Sequence, residues 1–183
     1  SGADIVPSGT TYTWTVVDSS GEVIGDSNQS TPQTSIGQTL TNTSNIPQTV
    51  VYTVVPTSGV QGNCEGNPFT ITVVVNPDPM MDNVLNQTIC GGTAFVTPTY
   101  NSNVSGVTYS WELTSTNIPA EISGYPSPNG TGELTGSVIQ NSGDTTFTLT
   151  YNLSVFYDGC LGNTVPFSVT VDPAPTVIFD ISN

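Results

Sequence analysis

Two stretches of this chain carry the same message: NCEGNPFTITVVVNPDP, Asn63 to Pro79, and DGCLGNTVPFSVTVDPAP, Asp158 to Pro175. Each holds a cysteine, a Gly-Asn pair, a Pro-Phe doublet, an alternating apolar run and a Pro-x-Pro stop. The cysteines Cys64 and Cys160 lie 96 residues apart, as do Pro79 and Pro175. Upstream, GTTYTW (Gly9 to Trp14) returns as GVTYSW (Gly106 to Trp111) at an offset of 97, and Tyr52 of VVYTVV returns as Tyr151 of LTYNLS at 99. Landmarks in one order at a nearly constant offset mark a tandem duplication. A period near 97 residues is too long for a solenoid turn and suits a β-sandwich of about 100 residues. Each quoted stretch then reads as the last hairpin of a module, followed by a linker.

That frame predicts a first module over residues 1–79, a second over 80–175 and the start of a third over 176–183, TVIFDISN. The segment NQTICGGTAFVTPTY precedes the Gly106 motif in the second module. Nothing matches it before Gly9, so the first module is expected to be truncated at its N-terminus. The chain reads as part of a longer array, cut at both ends.

The strand signal is period two. Tyr12, Trp14 and Val16 share a face opposite Thr11, Thr13 and Thr15. Phe147, Leu149, Tyr151, Leu153 and Val155 share another, as do Phe69, Ile71, Val73 and Val75, and Phe167, Val169 and Val171. Threonine on the alternate positions fits a solvated sheet face. No helical period is visible, and clusters such as GYPSPNGTG (Gly124 to Gly132) read as loops. The expected fold class is all-β, in tandem immunoglobulin-like sandwich modules.

Composition excludes more functions than any motif suggests. The 183 residues carry a formal charge of −14, with no lysine, arginine or histidine. Such a chain has no patch to release counterions from nucleic acid, no polybasic anchor for anionic lipid, no imidazole base or Schiff-base lysine and no phosphate clamp. Lysine–asparagine crosslinks are equally impossible. Serine and threonine make up roughly a quarter of the residues, yet 35% are hydrophobic and fall in alternating runs, so folded modules are expected rather than a disordered tail. No apolar run approaches the ~18 residues needed to span a bilayer.

Three cysteines make an odd set. Cys90 lies in the opening segment of the second module and Cys160 in its final turn, so a Cys90–Cys160 disulfide is the economical expectation. Cys64 then has its partner outside these residues. The competing reading is three buried free thiols. Zinc is disfavoured, because no CxxC or histidine accompanies them. A disulfide would imply an oxidising, extracellular compartment.

Other candidate sites are weighed against plainer readings. The Tyr-x-Trp pairs suit a sugar-stacking platform, but an aromatic pair in an alternating strand is more often core. Asp78 and Asp82 flank the linker NPDPMMDN, where carboxylate and carbonyl oxygens suit calcium. Asp172 and Asp180 flank the next linker, but the pattern does not repeat cleanly, since Asp78 aligns with Ala174 and Asn76 with Asp172; acidic residues also serve solubility and protect sheet edges. GTGELTG (Gly130 to Gly136) has the wrong spacing for a phosphate loop and no lysine. Paired carboxylates suffice for a glycosidase, but here they do not recur at matching module positions.

QTICGGTAFVTPTY, GVTYSW and the Gly-Cys…Pro-Phe-Ser-Val-Thr-Val-Asp-Pro-Ala-Pro ending together resemble the PKD-like modules repeated in giant Bacteroidetes surface proteins. These include SprB-type gliding-motility adhesins exported by type IX secretion. The resemblance covers nearly the whole chain. It implies an immunoglobulin-like sandwich, a place at the cell surface and a non-catalytic role in an adhesive stalk touching extracellular surfaces or glycans. The alternative is a glycan-binding or spacer region of a secreted polysaccharide-degrading enzyme.

Overall fold

The computed structural model describes residues 6–59 and 62–175. The chain divides into two compact units, Ser1–Asp78 and Pro79–Asn183. The expected third-module strand at 176–183 lies outside the described residues.

In the first unit, the strands are β1 (Thr11–Asp18), β2 (Val23–Ile24), β3 (Gln29–Gln33), β4 (Thr41–Asn42), β5 (Gln48–Thr57) and β6 (Phe69–Val75). One sheet runs β3-β1-β5-β6, and β2 pairs with β4. In the second unit they are β7 (Gln87–Cys90), β8 (Thr93–Ala94), β9 (Thr108–Leu113), β10 (Ile122–Ser123), β11 (Asn129–Thr131), β12 (Val138–Asn141), β13 (Phe147–Tyr157) and β14 (Cys160–Asp172). Its larger sheet runs β11-β9-β13-β14-β7 and its smaller β10-β12-β8. All pairings are antiparallel except β7 with β14. The class is all-β, a tandem of immunoglobulin-like sandwiches, as the period-two pattern predicts.

β13 shows why these residues form these strands. Leu149, Tyr151, Leu153 and Val155 are fully buried on one face, next to Val165, Phe167, Val169 and Val171 of β14. The intervening residues face solvent and bond across the pair: Thr148 with Thr170 at 3.0 Å, Thr150 with Ser168 at 3.2 Å and Ser154 with Thr164 at 2.9 Å between hydroxyl oxygens. Apolar residues therefore fill the core while hydroxyl pairs line the outer face. The hairpin turns at Asp158-Gly159, with φ of 45° and 82°. Both central residues are left-handed, as a two-residue turn matching strand twist requires.

The register refines the repeat. Tyr52 faces Ile71 and Tyr151 faces Phe167. The two Pro-Phe doublets are therefore not equivalent in space: Ile71 takes the place of Phe167, and Phe69 that of Val165. An offset of 96 holds along both final strands. The stretch expected to be a loop at Gly124–Gly132 also differs in part, because Asn129–Thr131 pairs with β9 as an edge strand. Gly130 makes this pairing possible. A β-carbon there would collide with the indole of Trp111, which lies against it.

Candidate functional site

The Tyr-x-Trp strands supply core. Trp14 is buried with Val23, Val50, Tyr52 and Val54, and its Nε1 donates to the Ser27 carbonyl at 3.0 Å. Trp111 packs edge-on against Tyr151, with ring centroids 6.0 Å apart. Tyr109 packs against Tyr100 at 4.7 Å. Trp14 is thus enclosed, whereas Tyr109 and Trp111 are only partly buried. Burial raises the Tyr151 phenol well above its ordinary value, and its hydroxyl donates to the Pro126 carbonyl at 3.2 Å. Tyr52 is raised for the same reason, with the charge of Asp26 adding to it, and its hydroxyl donates to Gln38 Oε1 at 2.8 Å. Both are neutral structural phenols rather than bases.

An asparagine that the sequence reading passed over anchors each unit. Buried Asn141 donates through Nδ2 to the carbonyls of Thr145 and Val171, both at 2.9 Å, and its Oδ1 accepts from Gly143 N at 3.1 Å. Asn42 does the same in the first unit, donating to Ile46 O at 2.7 Å and Val75 O at 2.8 Å and accepting from Ser44 N at 2.8 Å. The signal was present in TNTSN and QNSGD, each an Asn within a short polar turn segment, where its side chain can accept from the backbone N–H two residues on.

The Cys90–Cys160 disulfide expected from the sequence is not compatible with this fold. β7 runs parallel to β14 and sets Cys90 beside Asp172, at the far end of the thirteen-residue strand that Cys160 begins. At ~3.3 Å per residue those ends are about 40 Å apart, against the roughly 7 Å that a disulfide bridges. Cys64, Cys90 and Cys160 are free and exposed, so the buried-thiol reading does not hold either. Asp78 is exposed at the end of the first unit and Asp82 is exposed near the start of the second. Among the described residues no group of three or more cysteines or carboxylates is placed to hold a metal.

A shallow groove of about 490 Å³ lies on the outer sheet face of the second unit. Glu112 and Asn152 face each other across β9 and β13, and Asn129 and Thr131 enter from β11. Ser110, Trp111, Gly130, Ser154 and Thr164 complete the lining. A neighbouring hollow of about 750 Å³ adds Tyr109, Glu133 and Phe156. The first groove offers amides, hydroxyls and one carboxylate, groups that exchange hydrogen bonds with a neutral polyhydroxylated ligand. It does not present the flanking pair of carboxylates that glycoside hydrolysis uses. Glu112 alternates with Trp111 and Asn152 with Tyr151 along their strands, and the register sets the two opposite each other.

A family model described as "PKD-like domain" matches residues 2–79 and 87–175. No curated protein matches the chain. Among solved structures, the chain is similar to human mucin-like protocadherin EC1-2 at 10% identity and a TM-score of 0.34, covering 93% of this chain and 87% of that one. It is similar to mouse cadherin-23 EC22-24 at 17% identity and a TM-score of 0.32, covering 87% of this chain and 53% of that one.

Proposed function

We propose, from the premise that this chain belongs to the PKD-like domain family, that it is a non-catalytic repeat segment of an extracellular adhesive array. The observation that carries the reading is the duplication itself. One sandwich plan occurs twice with the same internal anchors, Trp14 and Trp111, Tyr52 and Tyr151, Asn42 and Asn141, and the Pro77 and Pro79 rings of the linker are buried. Such modules joined by short proline-restricted linkers project or spread weak contacts along a filament. In the finer form of the proposal the parent is a Bacteroidetes surface adhesin of the SprB type, serving attachment and gliding and exported by type IX secretion. The modules then run over 1–79 and 80–175, with a third beginning at 176. A charge of −14 repels neighbouring filaments and an anionic envelope, and the absence of lysine and arginine leaves trypsin-like proteases no cleavage site. Calcium at Asp78 and Asp82 belongs to the same proposal. A melting temperature unchanged between calcium and chelator removes it.

The test is surface labelling of intact cells with an antibody to this chain, followed by sizing of the labelled protein. A labelled band far above 19.1 kDa is expected. A small unlabelled band overturns the reading. The groove around Glu112 and Asn152 supports a second reading, a glycan-binding region of a secreted polysaccharide-degrading enzyme. Amide shifts of Ser110 and Asn152 during titration with neutral oligosaccharides support it, and unmoved amides dismiss it.

A further inference from the structure

Taking the glycan-binding reading of the second unit's groove as a basis, we infer that its ligand is a linear glycan carrying free amines, with Glu112 as the carboxylate that recognises the ammonium group. The cross-strand register of the larger sheet lays out the site. One rung across the outer face runs Thr131, Ser110, Ser154 and Thr164, from β11 through β9 and β13 to β14. The next runs Asn129, Glu112, Asn152 and Pro166 over the same four strands. At ~4.8 Å between strands the strip is about 14 Å long across the sheet, and its two rungs lie about 7 Å apart along the strands. The long axis crosses the strands, a shape that suits an extended chain of sugars.

The second rung departs from the rest of the outer face. Elsewhere neighbouring hydroxyls satisfy one another, Thr148 with Thr170, Thr150 with Ser168 and Ser154 with Thr164. Asn152 instead stands between Glu112 and Pro166, whose ring has no polar atom to offer. Among the described residues no protein group bonds the side chains of Glu112, Asn129 or Asn152, so their donors and acceptors are left for a ligand in the groove. The first unit serves as an internal control. Thr15 and Thr53 pair at the places of Glu112 and Asn152, and Val55 stands at that of Ser154, so the carboxylate and the amide are missing there.

Charge decides the class of glycan. Glu112 is the carboxylate within the strip, and Glu133 borders it in the adjoining hollow, which shares Ser110 and Thr131. With no lysine, arginine or histidine in the chain, neither its own side chains nor those of a second copy supply a cation for Glu112. The field of a chain of charge −14 concentrates cations at such a site and repels uronates and sulfated sugars. An ammonium group has three protons to donate, and the Glu112 carboxylate and the side-chain carbonyls of Asn129 and Asn152 are three acceptors on one rung. The hydroxyl rung beside it is left to meet the hydroxyls of the sugar rings.

The test titrates the whole chain with linear tetramers of glucosamine, of fully N-acetylated glucosamine and of glucuronate, followed by amide shifts. The glucosamine tetramer is expected to move Ser110, Glu112 and Asn152 but not Thr15 or Thr53, and to bind about fivefold tighter than its acetylated counterpart. That advantage should vanish at high salt, and glucuronate should move nothing. Glu112→Gln should abolish the difference with the melting temperature unchanged, while Glu121→Gln, which removes a charge of the same unit outside the strip, should keep it. Equal affinity for the free and acetylated tetramers overturns the inference and leaves the glycan-binding reading standing, whereas unmoved amides with every tetramer overturn both. Shifts spread over both units, or an advantage that Glu121→Gln reduces as much as Glu112→Gln does, overturn it too, because they mark general attraction to an acidic chain.

Discussion

Replacing Asn141 with alanine removes three hydrogen bonds at once, two donated to the Thr145 and Val171 carbonyls and one accepted from Gly143 N. Asn141 is buried, so water does not readily replace them. A net hydrogen bond is worth about 1 kcal/mol, and a buried group left unpaired costs about 1–3 kcal/mol. The loss is therefore about 3 kcal/mol for the second unit, or roughly 12–24 °C in melting temperature for a domain of this size. Asn141→Asp is expected to be worse than alanine at neutral pH, because a carboxylate faces two carbonyls it has no proton to bridge. Each unit holds one tryptophan, Trp14 in the first and Trp111 in the second, so a Trp14→Phe background reports the second unit alone by fluorescence during urea denaturation. A midpoint shift equivalent to less than about 1 kcal/mol for Asn141→Ala refutes the anchor argument. So does a matching loss in the first unit, read from Trp14 in a Trp111→Phe background.

Further outcomes follow from single contacts. Gly130→Ala places a methyl group into the Trp111 indole and is expected to cost about 1–3 kcal/mol by overpacking and shift the Trp111 emission; an unchanged spectrum and midpoint contradict the close contact. Asp18 accepts from Ser20 Oγ at 2.7 Å, Ser20 N at 2.9 Å and Val23 N at 2.9 Å, and the Ser20 hydroxyl, with those amides, holds its carboxyl at about 2. A depressed folded value stabilises above the unfolded value of 3.8 and is lost as pH falls from there toward 2. The acid sensitivity of the first unit in this window should accordingly shrink in Asp18→Asn, and a pH profile identical to the parent's argues against it. Three thiols should react with a disulfide reagent in the native chain without denaturant; one reactive thiol restores the Cys90–Cys160 bond. With fourteen carboxylates and no cation, added salt screens only repulsion, so both units should melt higher in 0.15 M salt than in dilute buffer, and a lower melting temperature counts against that account.

Much of the sandwich was legible because burial of one sheet face writes itself as alternation. Leu149 to Val155 and Phe167 to Val171 lie inward as read, and so do Trp14 and Tyr52. What was not legible depends on which end of a strand a residue reaches. Cys90 and Cys160 belong to one module, but only the parallel run of β7 shows that they occupy opposite ends of β14. The Pro-Phe doublets misled for a related reason: side-chain identity matched while the cross-strand register of Tyr52 and Tyr151 did not. β11 was hidden because a proline- and glycine-rich segment has the composition of a loop, and its strand pairing comes from Trp111 lying against Gly130. The groove was half visible. Outward Glu112 and Asn152 could be assigned to faces, but their pairing required strands distant in sequence to meet.

The two units also separate what a module must keep from what it is free to vary. Trp14 and Trp111, Tyr52 and Tyr151, and Asn42 and Asn141 hold the same places because each fills core or satisfies buried carbonyls. Their replacement carries cavity or unpaired-group penalties of about 2–5 kcal/mol. No such demand acts on the outward positions of the same strands. By the Trp and Tyr alignments, Glu112 corresponds to Thr15, Asn152 to Thr53 and Ser154 to Val55. Those changes cost the sandwich little, since the side chains meet solvent on a hydroxyl-lined face. In the proposed array the inner face would hold the fold constant, and differences between modules would arise on the outer face of β1 with β5 and of β9 with β13.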